Sequence, residues 1–160
     1  MPMKKLILNG SHSQIHFGSS NRKLFGLWNN SDAIQLAYPK ENIPFERTDN
    51  GKPVDSTIYK LPESEDELVT YSVYMGGDIG ETVITTNRPE LPNILIYGDS
   101  FTNPLEALLW TQANELRSID FRHYTECTLK DYIAEYKPDI VICVRDETTF
   151  LSEDGNGITE

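Results

Sequence analysis

Asn93-Ile94-Leu95-Ile96-Tyr97-Gly98-Asp99-Ser100-Phe101 is the stretch that decides the fold. Residues 93–97 form a short apolar run, as expected for a strand buried on both faces of a parallel sheet. A glycine turn follows, and then a helix start. Asn103 is placed to cap that helix, Pro104 to take its first position and Glu106 to sit three residues after the cap. Leu105, Leu108, Leu109, Ala113 and Leu116 recur at helical spacing and predict one apolar face. The alternation then repeats. Residues 117–121 read as a second strand. Thr128 and Asp131 form a capping pair, and Leu129, Tyr132, Ile133 and Tyr136 mark a second amphipathic helix, which Pro138 stops. Residues 139–144 (DIVICV) predict a third buried strand. The whole is βαβαβ, and right-handed crossovers place the second and third strands on either side of the first. A crevice then opens beyond the carboxyl ends of the strands, where residues 98–101 and 145–149 meet.

Upstream of Pro89 the signals are shorter. Residues 5–9 read as a brief strand, 11–21 as a polar loop, and 29–53 as largely irregular. Residues 68–75 and 81–86 flank Gly76-Gly77-Asp78-Ile79-Gly80 and suggest an antiparallel hairpin. The expected organisation is an irregular, β-containing region over 1–89 followed by a βαβαβ portion over 90–160, together one structural domain. The fold class is α/β, with a small flavodoxin-like parallel sheet flanked by helices. Three strands make a thin sheet for such a fold.

Composition narrows the function. A formal net charge of −11 over 160 residues argues against nucleic acid, whose phosphates need clustered Lys and Arg, and against anionic lipid. No apolar run is long enough for a membrane span. Leu6-Ile7-Leu8 after Lys4-Lys5 is too short for a signal-peptide core. Cys127 and Cys143 match no metal motif and read as partly buried thiols. Hydrophobic residues make up 38%, which fits a folded domain with one modest core.

Ser100 is the main chemical candidate. It ends a buried strand and precedes a helix, which exposes its hydroxyl and directs backbone N–H groups and a partial positive charge toward a developing oxyanion. Gly98 and Asp99 shape that turn. The bland alternative is a polar strand-to-helix turn.

Residues 94–101 resemble the GDSF-type first block of SGNH hydrolases. The continuation through Ser118-Ile119-Asp120-Phe121-Arg122-His123-Tyr124, residues 129–136 and Lys137-Pro138-Asp139-Ile140-Val141-Ile142 resembles the C-terminal part of the subgroup related to alginate O-acetyltransferases and DHHW proteins. The resemblance implies a serine esterase or O-acyltransferase acting on carbohydrate acetyl esters, in an extracytoplasmic or cell-envelope setting, with no metal or organic cofactor. It implies Ser100 as nucleophile, a histidine as its base and a carboxylate orienting that histidine.

The expected Asp-x-His or Asp-His-His-Trp block is missing before Ser100. Two explanations stand: the block lies upstream in a longer parent protein, or the chain is a non-catalytic binding module that kept the fold. Asp120 and His123 spell the Asp-x-x-His of ordinary SGNH enzymes and are the local candidates for the missing pair. His12 and His16 have the spacing of helical metal ligands but sit in a polar loop with no third ligand. Arg145, Asp146 and Glu147 fall at the crevice rim and are candidates for substrate contact. Trp28, Tyr38, Tyr71 and Tyr74 are candidates for stacking on sugar rings. A flavodoxin-like anion binder is a third reading. An incomplete sheet leaves edges that a second copy could pair with, so a homo-oligomer is expected.

Overall fold

The computed structural model describes residues 3–7, 35–61 and 71–146. In chain order these form β1 (Met3–Ile7), β2 (Gln35–Pro39), β3 (Glu46–Asp49), β4 (Lys52–Val54), β5 (Glu81–Thr85), β6 (Asn93–Gly98), α1 (Thr102–Leu109), β7 (Glu115–Ile119), α2 (Leu129–Tyr136) and β8 (Ile140–Val144). Single 3-10 turns occur at Tyr71–Val73 and Trp110–Gln112. The fold is α/β. Six strands form one mixed sheet in the order β4-β3-β5-β7-β6-β8, and β1 pairs with β2 apart from it.

The parallel part follows the apolar runs. β6 lies between β7 and β8 and is parallel to both. Its alternate side chains feed two cores. Ile94 and Ile96 join Leu116, Ala107 and Trp110 on the α1 side. Leu95 joins Ile119, Leu129 and Tyr132 on the α2 side. Each fully buried aliphatic side chain contributes about 1.5–3 kcal/mol. α2 starts as its capping pair predicts. Thr128 Oγ1 accepts from the Asp131 backbone N–H at 3.1 Å and donates to Asp131 Oδ2 at 2.8 Å. Lys137, left-handed with φ 53°, ends it before Pro138.

Several expectations are corrected. The sheet has six strands rather than three, because β3, β4 and β5 extend it antiparallel. Residues 29–53, read as irregular, contain β2, β3 and part of β4. The β3–β4 turn is Asn50-Gly51, both left-handed (φ 49° and 72°), the residue pair that a two-residue hairpin turn favours. The expected hairpin between residues 68–75 and 81–86 does not form. Tyr71–Val73 is a 3-10 turn, Tyr74 bridges Tyr59, and β5 pairs with β3 and β7 instead. Met75, Gly76 and Gly77 are left-handed in succession (φ 59°, 87° and 108°) and turn the chain away from such a reversal. Among the described residues β8 is a sheet edge rather than a buried strand, with Ile140 and Val141 exposed at 42% and 44%.

α1 is rotated relative to its predicted face: Leu109 still packs on the core, and Ala113 and Leu116, which lie beyond the helix end, are buried, but two of the leucines face out. Thr102, Asn103, Glu106 and Ala107 are buried, whereas Leu105 and Leu108 are exposed. The sheet beneath supplies the polar partner: Ser118 Oγ donates to Glu106 Oε1 at 2.6 Å. Burial pushes the Glu106 carboxyl above its ordinary range, against the hydrogen bonds from Ser118 and Thr102. Asn103 is not the cap. The helix begins at Thr102, Phe101 holds the cap position without a side-chain bond, and Pro104 still falls within the first turn, where no N–H is needed.

Arg47 ties the antiparallel strands to the loop before β5. Its buried guanidinium pairs with Asp49 at 2.8–2.9 Å and donates to the Thr57 carbonyl at 2.6 Å and the Met75 carbonyl at 2.5 Å. Asp49 Oδ1 also accepts from Thr82 Oγ1 at 3.0 Å.

Candidate active site

The turn at the end of β6 is built against β8. A Cβ on Gly98 would lie 1.7 Å from the Val144 carbonyl oxygen, so only glycine fits. The Asp99 N–H donates to that same carbonyl at 3.3 Å. The Asp99 carboxylate is buried and works as a clasp. Oδ1 accepts from the Phe101 N–H at 3.0 Å and Oδ2 from the Asp146 N–H at 2.7 Å. The loops after β6 and β8 are thereby held together, and Ser100 stands half-buried between the clasp and α1. Its carbonyl accepts from the Asn103 N–H at 3.3 Å.

A second group of side chains meets the first turn of α1. Asn103 Nδ2 donates to Asp78 Oδ1 at 3.4 Å, and Arg122 Nη2 donates to Asp78 Oδ2 at 3.3 Å. Arg122 also grips Asp120, with Nε 2.9 Å from Oδ1 and Nη2 2.5 Å from Oδ2. The Asp120 hydrogen bonds raise the Arg122 pKa above its ordinary value, opposed by burial. Asp78, Asp120 and His123 bring one donor atom each within 4.8 Å of one another. That donor set suits a divalent cation in chemical type, but Arg122 already bridges both carboxylates. The Asp120 carbonyl accepts from the N–H groups of His123 and Tyr124 at 2.9 and 2.8 Å, which sets His123 on an exposed turn after β7. Tyr71 closes one side. Its ring lies 6.4 Å from Phe101, and burial pushes its hydroxyl up to about 12, helped by Tyr74, Asp99, Asp78 and Glu106.

The sequence candidates therefore fall as follows. Gly98, Asp99 and Ser100 form the turn at the sheet's switch point. Asp120 and His123 lie on the turn after the neighbouring strand, linked to α1 through Asp78. Arg145 directly follows β8, close enough for its charge to act on the Tyr97 hydroxyl. Glu147, His12, His16 and Trp28 lie outside the described residues. Tyr38 is exposed on β2, while Tyr71 and Tyr74 pack edge to face at 5.5 Å. Asp78 and Asn103 were not among the sequence candidates. The signal for Asp78 is the Gly76-Gly77 pair before it, which permits a sharp re-aiming of the chain.

The fold has counterparts among solved structures. The chain folds like PatB1 of Bacillus cereus. The PatB1 structure with a sulfonyl adduct superposes with a TM-score of 0.69 at 21% identity, over 92% of this chain and 48% of that one. A further PatB1 structure gives 0.64 at 21% identity, over 92% and 49%. A DHHW family protein from Eubacterium siraeum DSM 15702 gives 0.66 at 18% identity, over 89% and 47%. The chain thus spans about half the length of the solved structures it resembles. No protein-family model and no curated sequence matches it. At such identities the likeness is one of fold.

Proposed function

We propose that Ser100 is the nucleophile of an SGNH-like serine esterase or O-acyltransferase that acts on acetyl esters of carbohydrates in an extracytoplasmic or envelope setting. The observation that carries this reading is the turn at the end of β6. Glycine is obligatory there, the buried Asp99 clasps both neighbouring loops, and Ser100 sits where the helix dipole of α1 favours an oxyanion. A neighbour of the same fold is known with a sulfonyl adduct, the product expected when an activated nucleophile meets a sulfonylating reagent.

The Ser100 hydroxyl attacks the ester carbonyl. The new C–O bond forms as the proton passes to a histidine, and the oxyanion is met by backbone N–H groups at the start of α1. The ester C–O bond then breaks and the sugar hydroxyl leaves with that proton. Water or a second sugar hydroxyl takes the acyl group from Ser100. His123 is the local candidate for the base, with Asp120 its sequence-assigned partner.

The test is a fluorophosphonate probe followed by intact mass, on the wild type and Ser100→Ala. One adduct on the wild type, absent from the variant, is the expected result. Absence of any adduct on the wild type overturns the reading for this chain and favours a non-catalytic interaction module of the same fold.

A further inference from the structure

We propose that the cavity between β2 and the end of α1 binds a neutral sugar unit of an extended glycan, as a subsite remote from Ser100; the inference deepens the carbohydrate-ester reading and rests on it for the choice of a polymer. The cavity has a volume of about 350 Å³, within the range of small-molecule sites. Tyr38, Phe45, Tyr59 and Trp110 are its aromatic walls, and Asn42 and Ser56 are among its polar groups. None of its lining residues carries a charge, in a chain whose formal net charge is −11. A second cavity, of about 390 Å³, is by contrast lined by Arg47, Asp49, Asp55 and Lys60. A charged ligand entering the first would lose water and gain no counter-charge, which is costly. Its occupant is therefore uncharged.

The polar groups of the cavity narrow the ligand further. Trp110 is 4% exposed, and its indole N–H has no acceptor among the described residues. A buried tryptophan N–H ordinarily finds one, so an occupant that offers an acceptor is favoured. The exposed Asn42 side chain likewise has no partner among the described residues, which leaves its amide free to donate and accept. Ser56 Oγ donates to the Phe45 carbonyl at 2.9 Å and keeps its lone pairs to accept. Aromatic rings beside open donors and acceptors suit a sugar, whose C–H face lies on a ring while its hydroxyls bond at the rim. A purely apolar ligand would leave the Trp110 N–H and the Asn42 amide without partners. Ser100 precedes α1 and Trp110 follows it, so the eight-residue helix alone separates them by about 12 Å, farther than one sugar ring reaches. Rings in contact join the two ends. Phe101, Tyr71, Tyr74, Tyr59 and Tyr38 follow one another at centroid distances of 6.4, 5.5, 6.0 and 5.1 Å. A glycan long enough to span α1, held in the cavity by one unit, presents another at Ser100.

The experiment uses the 160-residue chain with cellotetraose and chitotetraose as neutral probes, tetragalacturonate as the anionic one and naphthalene as the apolar one. Calorimetry reads affinity. A nitrogen-15 spectrum reads the indole N–H of Trp110, assigned by its loss in Trp110→Phe. At least one neutral tetrasaccharide is expected to bind and to move the Trp110 signal, with tetragalacturonate and naphthalene leaving it in place. Tyr38→Ala should weaken that binding about 5-fold or more, and Asn42→Ala, at an exposed position outside the core, about 3-fold or more. The subsite is overturned if neither neutral probe binds, if binding leaves the Trp110 signal unmoved, if the anionic or apolar probe moves it as strongly, or if both variants bind as the wild type does. Binding by a chain that shows no fluorophosphonate adduct keeps the subsite and overturns the esterase reading; an adduct without tetrasaccharide binding does the reverse.

Discussion

The two helices are equal in length and lie on opposite faces of one sheet, yet they are built on opposite plans. α2 turns its apolar side inward. Leu129 and Tyr132 are buried, and its tyrosines continue an edge-to-face series from Tyr124 through Tyr132 to Tyr136. Arg117 of β7 lies 4.1 Å from the Tyr136 ring centroid and adds a cation–π contact. α1 turns Thr102, Asn103 and Glu106 inward and leaves Phe101, Leu105 and Leu108 exposed. The difference separates two tasks. α2 closes a core, and almost any well-packed amphipathic helix would serve. α1 carries the candidate nucleophile at its start, and its inner polar face fixes the helix by hydrogen bonds that permit one rotation about its axis. Polar burial of this kind costs stability unless every group is satisfied, and in return it specifies orientation.

The contrast can be broken at four points. The largest effect is expected at the entrance to α1. Gly98→Ala sets a methyl against the Val144 carbonyl and should cost more than about 3 kcal/mol, or prevent folding; denaturant unfolding of the variant measures it, and a loss below 1 kcal/mol would refute the close approach of β6 and β8. Next come the helix faces. Leu129→Ala on α2 should cost about 2–3 kcal/mol, whereas Leu105→Ala on α1 should stay within about 0.5 kcal/mol. Equal losses would mean that α1 is packed on its leucine face after all. The third point is the cap. Thr128→Ala removes the bond to the Asp131 N–H and should lower stability by about 1 kcal/mol, read as a shift in the unfolding midpoint. The smallest is a slope. Because burial raises the folded-state pKa of Glu106 above its unfolded value of 4.5, its protonated form is favoured in the fold. Its contribution is fully present below pH 4.5 and is lost as pH rises through the folded-state value. Glu106→Gln should flatten stability against pH across that window, and an unchanged slope would remove Glu106 from the account.

Much of the parallel half was legible in the chain. β6 announces itself as a short apolar run because both its faces are covered, and α2 does so because Thr128 and Asp131 cap it in the way their spacing requires. Ser100, Gly98 and Asp99 could be placed at the switch point on those grounds. The rotation of α1 could not be read, since helical spacing of leucines carries no information about Ser118 waiting beneath Glu106. β3 hid its character in Glu46-Arg47-Thr48-Asp49, whose burial depends on carbonyls supplied by Thr57 and Met75. Asn50-Gly51 was a usable hairpin signal inside a region read as irregular. For Asp78 the Gly76-Gly77 pair signalled a sharp turn but not its destination. Asp78 reaches the rim only through a loop whose neighbours are distant in sequence.

The hold of Arg47 on the Met75 carbonyl reaches further than β3. Three residues beyond that carbonyl the chain delivers Asp78 to the rim, so the far strands and the site share one mechanical link. Linkage of this sort is reciprocal. A ligand that draws on Asp78 would steady the Met75 loop, and with it the guanidinium that spans Asp49 and Thr57. The backbone amide of Met75, bonded to the Ile58 carbonyl at 2.9 Å, would then exchange its hydrogen more slowly in the presence of that ligand. Occupancy at one end of the sheet would be recorded at the other.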